Sequence, residues 1–144
     1  MVSGYSISSK RQEMDLSVID NYLFSSYWAK GIPLTVMEKA IDNSLCFGIF
    51  NHAGEQIAFA RMITDYATSA YLADVFVLPE HRGKGLSKWL IKTIIEHPHL
   101  QGLRRMLLAT SDAHGLYQQF GFTPLNAPEL FMERHQPDIY LKTK

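Results

Sequence analysis

Val75-Phe76-Val77-Leu78-Pro79-Glu80-His81-Arg82-Gly83-Lys84-Gly85-Leu86-Ser87 carries a strand-like run into a proline, then a turn with two glycines one residue apart, then a helical pattern. Glycines so placed let the backbone turn successive N–H groups to one side. A helix beginning there adds the positive end of its dipole, so the turn is suited to phosphate oxygens. The usual nucleoside triphosphate loop needs the spacing G-x-x-x-x-G-K-[ST], which Gly83-Lys84-Gly85 does not supply. A dinucleotide fingerprint would need glycine at position 88, where the chain has Lys88, and a first strand near the N-terminus of the fold.

Downstream, Leu86, Leu90, Ile91, Ile94 and Ile95 form one apolar stripe, which predicts a helix lying on a sheet and stopped by Pro98. Met106 to Ala109 reads as a short buried strand. Thr110-Ser111-Asp112 offers candidate caps for a helix reaching about to Phe120, ended by Gly121 in a left-handed turn. The tail, with Pro124, Pro128 and Pro137, is irregular until Ile139-Tyr140-Leu141, a candidate last strand. Upstream, Tyr5 to Lys10 fits an edge strand. Leu16, Ile19, Leu23 and Phe24 recur at helical spacing behind Asp15 as cap, and Val36, Met37, Ala40 and Ile41 fit the inner side of a second helix. The runs Leu45–Phe50 and Ile57–Ile63, joined through Asn51-His52-Ala53-Gly54, predict a hairpin, and a third run spans Ala70–Leu78. The sum is an α+β chain: three layers, α/β/α, around a central mixed, mostly antiparallel sheet.

With 144 residues the chain is expected to be one domain, residues 1–144. Fourteen basic and fourteen acidic residues cancel, leaving no cationic excess to track nucleic acid or an anionic membrane. Cys46 stands alone in an apolar run with no cationic neighbour, which predicts a buried structural thiol in a reducing compartment. No charged head precedes an apolar stretch at Met1–Tyr5, and no apolar run is long enough to span a bilayer, so a cytoplasmic location is expected. The six histidines lack ligand spacing, His97-Pro98-His99 being interrupted by proline, and no metal is expected.

The run from Val75 to Leu86, with R-x-x-G-x-[GA] at Arg82–Ser87 after a strand ending in Val-x-Pro, resembles the GNAT superfamily of N-acetyltransferases. Leu116-Tyr117-Gln118-Gln119-Phe120-Gly121-Phe122 resembles that family's second signature and stands at the expected distance. The likeness spans Ala70 to Phe122 and looks closest to a compact bacterial subgroup. Two residues depart from the usual pattern: Ser87 replaces Gly or Ala, and Thr110 stands where many members have asparagine. The small Ser87 hydroxyl can be accommodated on the first helical turn, and Thr110 suits a capping role.

The resemblance implies acetyl-coenzyme A as cofactor, with its diphosphate on the amides of Gly83, Lys84, Gly85, Leu86, Ser87 and Lys88. Its pantetheine arm would lie beside Val75, Phe76 and Val77, on a strand that splays from the one at Met106–Ala109. Arg82 and Lys84 are expected to add charge. Tyr117 takes the role of general acid, since a phenol with an ordinary pKa near 10 stays protonated at neutral pH and can donate to a thiolate. The amide of Phe76 or Val77 is the expected oxyanion donor. For the base, Asp74, Tyr71 and a chain of waters all stand open, with Arg61 a candidate partner that would occupy Asp74. The acceptor, a primary amine of a small molecule or peptide, is expected among Tyr27, Trp28, Tyr66 and Tyr71, with Tyr22 and Phe24 nearby. Acetyl would pass directly within a ternary complex. The alternative is a non-catalytic acyl-coenzyme A binding module, a sensor or regulatory subunit; the oligomeric state, a homodimer included, is open.

Overall fold

A computed structural model of the chain describes residues 1–141. Its sheet comprises β1 (Tyr5–Ser8), β2 (Leu45–Asn51), β3 (Gln56–Thr64), β4 (Ser69–Val77) and β5 (Arg105–Leu108), adjacent in that order. Neighbours from β1 to β4 pair antiparallel and β4–β5 parallel, the mixed sheet expected from the sequence. Asn51 shapes the β2–β3 hairpin by accepting the Ala53 and Glu55 amides on its side-chain oxygen, and Gly54 supplies the left-handed residue.

Helix α1 (Leu16–Phe24) starts where the Asp15 carboxylate accepts the Ser17 and Val18 amides. With α2 (Leu34–Asp42) it buries Ile19, Leu23, Met37 and Ile41 against Cys46, Phe59 and Phe76. Helix α3 (Leu86–Ile95) covers the other face, placing Leu86, Leu90, Ile91 and Ile94 against Phe47, Ile49, Met62 and Leu72. Each of those four fully buried side chains contributes roughly 2 kcal/mol by leaving water. The layering α1/α2, sheet, α3 is thus driven by strand alternation: Phe59 and Arg61 face one way, Ala60 and Met62 the other.

The short helix α4 (His114–Gln118) starts later than its candidate caps. Thr110 Oγ1 accepts the Ala113 amide at 3.0 Å and so shapes the approach to the helix rather than capping it. Three further expectations are corrected. Ile139–Leu141 forms a 3-10 turn instead of a strand. Phe24 and Val36 are 55% and 38% exposed, because each lies on the outward side of its helix. The first strand ends at Ser8, where the chain turns into a 3-10 segment at Arg11–Glu13. No helix among the described residues is long and apolar enough to cross a membrane.

Candidate active site

Strand β4 is paired to β5 only from Ser69 to Leu72, opposite Arg105 to Leu108, yet it runs on to Val77. Beyond Leu72 that edge of β4 is therefore unpaired, and it bounds a wedge with the chain that leaves β5 after Leu108. Against β3 the register slips between Phe59 and Arg61: Phe59 faces Phe76 while Arg61 faces Ala73, so β4 carries an extra residue there. Asp74 sits in that bulge at φ 58°. Past the bulge, Leu78 N–H donates to Ile57 O at 2.9 Å and Phe76 stands opposite Phe59. Antiparallel alternation then turns the Phe76 amide to β3 and the Val75 and Val77 amides into the wedge. Of the two amides expected as oxyanion donor, that of Val77 faces the wedge and that of Phe76 faces β3; the Phe76 side chain is buried, stacked on Tyr22 at 4.2 Å between ring centroids.

At the end of β4 the glycine turn adopts the expected form, with Gly83 at φ 79° and Gly85 at φ 80°. A Cβ at either glycine would meet open space. The first helical bond runs from Trp89 N–H to Gly85 O, and no side chain caps α3. Consequently the amides of Gly83, Lys84, Gly85, Leu86, Ser87 and Lys88 find no acceptor among the described residues. Gly83, Gly85, Leu86, Ser87 and Lys88 border a cleft of about 210 Å³ that Val77, Arg82 and Leu116 also line. Lys84 is exposed and does not line it. Arg82 turns back: its Nε donates to Val77 O at 2.9 Å and an Nη to the Tyr22 hydroxyl at 3.0 Å. Its guanidinium therefore braces the open strand against α1 instead of extending toward a phosphate. A larger depression of about 600 Å³, between β5 and the tail, is lined by Leu103, Met106, Phe120 and Phe131. None of the expected site residues lines it, whereas the free amides of the glycine turn border the smaller cleft.

Tyr117, on α4, is 7% exposed and packed in the α3-side core. Gly121 at φ 89° turns the chain so that Phe122 N–H reaches Tyr117 O at 3.2 Å and the Phe122 ring meets the tyrosine edge-on at 5.8 Å. This gives the second signature a physical meaning: glycine and phenylalanine hold the tyrosine ring. Its hydroxyl has no hydrogen-bond partner among the described residues and, unlike the buried ring, reaches solvent. Burial, and secondarily the Asp112 carboxylate, pushes its pKa up to about 12.

The Asp74 carboxylate accepts Arg61 Nε at 2.8 Å and Trp28 Nε1 at 2.9 Å, while an Arg61 Nη donates to Ser44 Oγ. The loop from Ser25 to Gly31, closed by Gly31 N–H to Phe24 O at 2.9 Å and braced inside by the Ser26 hydroxyl, presents Trp28 to Asp74 and Tyr27 to Ser111. Tyr71 and its cross-strand partner Ile63 lie on the same sheet face as Arg61, 40% and 42% exposed. Tyr66 is not brought to this group. It occupies the β3–β4 turn at φ 65°, edge-on to His99. That turn is organised by Asp65, whose carboxylate takes the Ala67, Thr68 and Ser69 amides and the Thr68 hydroxyl, holding it well below the usual carboxylate range. Ser111, considered from sequence only as a cap, joins the site through Tyr27.

The Acetyltransferase (GNAT) family model matches residues 11–122. A crystal structure of a Xanthomonas campestris pv. campestris protein assigned to the GNAT family is 53% identical, with TM-score 0.94 over 97% of this chain and 99% of that one. A Gibberella zeae protein grouped with the acetyltransferases is 33% identical over 78% of this chain and 75% of its own length. The glucosamine-6-phosphate N-acetyltransferase of Arabidopsis thaliana is 15% identical, with TM-score 0.63 over 91% of this chain and 97% of its own, a likeness of fold alone. With its wedge, its open glycine turn and a family match over most of its length, the chain belongs to the GNAT family of acetyltransferases.

Proposed function

We propose that the chain acts in the cytoplasm, as one domain, as an acetyl-coenzyme A dependent N-acetyltransferase that moves acetyl directly to a primary amine of a small molecule or peptide. The observation that carries this reading is the run of six amides from Gly83 to Lys88 without an acceptor among the described residues. Such a run at a left-handed turn and helix start fits a diphosphate. The open side of β4, with the Val75 and Val77 amides turned outward, fits the peptide-like pantetheine arm. Bound there, the coenzyme supplies an acyl thioester open to attack by an amine.

The chain's own groups divide the remaining work. Val77 N–H, turned away from β3, would donate to the acyl oxygen as charge develops there. Tyr117, protonated throughout the neutral range, would donate a hydrogen bond to the departing sulfur. Complete transfer from so weak an acid to a thiolate is uphill by several kcal/mol, so the phenol acts chiefly as a neutral donor while charge develops. Asp74, expected as a candidate base, has both oxygens engaged; we assign it to positioning, with the amine's proton leaving through water at the wedge mouth. Thiol release over a panel of primary amines tests the reading, comparing the native chain with Tyr117→Phe and following acetyl-coenzyme A binding by calorimetry. The variant is expected to bind within twofold of native and to lose about 10²–10³ in rate. Binding without release in the native chain would make it a binding module, and the absence of any heat would sink the reading.

A further inference from the structure

Asp74 lies two residues beyond Leu72 on β4, and Ser111 lies three beyond Leu108 on β5; Leu72 and Leu108 are the last pair before the strands part. Trp28 bonds the first and Tyr27 the second, and the two rings, neighbours in sequence, meet edge-on at 5.0 Å. The loop from Ser25 to Gly31 is thus an arch with one foot on each side of the wedge. It is stiffened from within by the Gly31–Phe24 and Ser26–Leu23 bonds, and Ser26 and Ala29 are buried. Beside it, on the sheet face that also carries Arg61, Ile63 and Tyr71 are partly exposed, so a small guest can approach the wedge along that face.

We infer that this arch restricts the acceptor to free, slender small-molecule amines and excludes amines carried on an extended peptide. This rests on the acetyltransferase reading above. A peptide presenting its lysine or N-terminus to the wedge would have to lay its backbone across the mouth that Tyr27 and Ser111 bridge. A small ammonium passes instead along Ile63 and Tyr71 toward Trp28, over aromatic faces that favour a cation. The Arg61–Asp74 ion pair there is internally satisfied and asks nothing of the guest.

The test uses stable conjugates in which coenzyme A sulfur is joined through an acetamide link either to propylamine or benzylamine, or to the lysine of an N-blocked octapeptide. Calorimetry then compares each with coenzyme A itself, so no turnover is needed. In the native chain the amine conjugates are expected to bind at least tenfold tighter than the peptide conjugate. In Tyr27→Ala/Ser111→Ala that preference is expected to fall at least tenfold, with circular dichroism verifying the fold. Peptide and amine conjugates binding the native chain alike, or an unchanged preference in the opened variant, would overturn the inference while leaving the acetyltransferase reading standing. No heat with coenzyme A itself would overturn both.

Discussion

Replacing Asp74 with Asn, Gly and Ala separates its charge from its backbone conformation. The Arg61 and Asp74 side chains are 16% and 8% exposed, so removing the carboxylate leaves a guanidinium largely out of water with Ser44 as its remaining side-chain partner among the described residues. For Asn, which tolerates the left-handed region and keeps an oxygen for Trp28, the loss should be about 2 kcal/mol. Ala also abandons Trp28 and must hold φ near 58°, which brings the loss to roughly 4 kcal/mol. Gly removes the same side chain but adopts that φ freely, so it should fall between them, about 1 kcal/mol better than Ala. The rank Asn, Gly, Ala inverts the usual preference for Ala over Gly in a strand. Urea unfolding followed by tryptophan fluorescence, with constant m-values, measures it. Ala equal to or more stable than Gly would refute the left-handed assignment, and Asn within about 0.5 kcal/mol of native would refute the importance of the ion pair.

Gly83→Ala and Gly85→Ala should each cost about 1 kcal/mol of stability and at least tenfold in acetyl-coenzyme A affinity by calorimetry, since the new methyl points into open space beside the free amides. Gly54→Ala, at φ 82° in the β2–β3 hairpin, should cost similar stability and leave affinity alone. Burial pushes the Cys46 thiol up to about 12 against some opposition from Arg61, so it should resist a thiol reagent at pH 8 until the protein is unfolded. Because the folded thiol holds its proton longer than the unfolded one, stability is full below about pH 9 and declines as pH rises toward 12; a serine variant should flatten that decline. Tyr117 works in the same direction between pH 10 and about 12, and an ultraviolet titration should show one late-ionising tyrosine that Tyr117→Phe removes.

Features set by neighbours in sequence are legible in the residues alone. The α3 stripe, the hairpin around Gly54, the glycine turn at 83–85 and the Tyr117-Gly121-Phe122 turn depend on spacing, capping and positive φ within a few residues. What escapes such a reading depends on partners far apart in the chain. Tyr27 and Ser111 are 84 residues apart, and Arg82 reaches Tyr22 across 60. The left-handed Asp74 follows from a register slip against β3 that no pattern within β4 announces. Aromatic content alone groups Tyr66 with Trp28, whereas the Asp65 turn carries it to His99. Val36 falls just outside the α2 stripe that buries Met37 and Ile41, a boundary its periodicity leaves open by one position.

The bond from Arg82 to the Val77 carbonyl sets a ruler along the open side of β4. An extended guest finds the Val77 N–H and both backbone groups of Val75 free, but the oxygen that would serve it one step nearer the turn is already taken. Sliding outward would aim the guest's donor at a filled acceptor, so its depth of insertion has a single favoured value. The same arginine that braces the strand would thereby calibrate how far such a guest reaches along it.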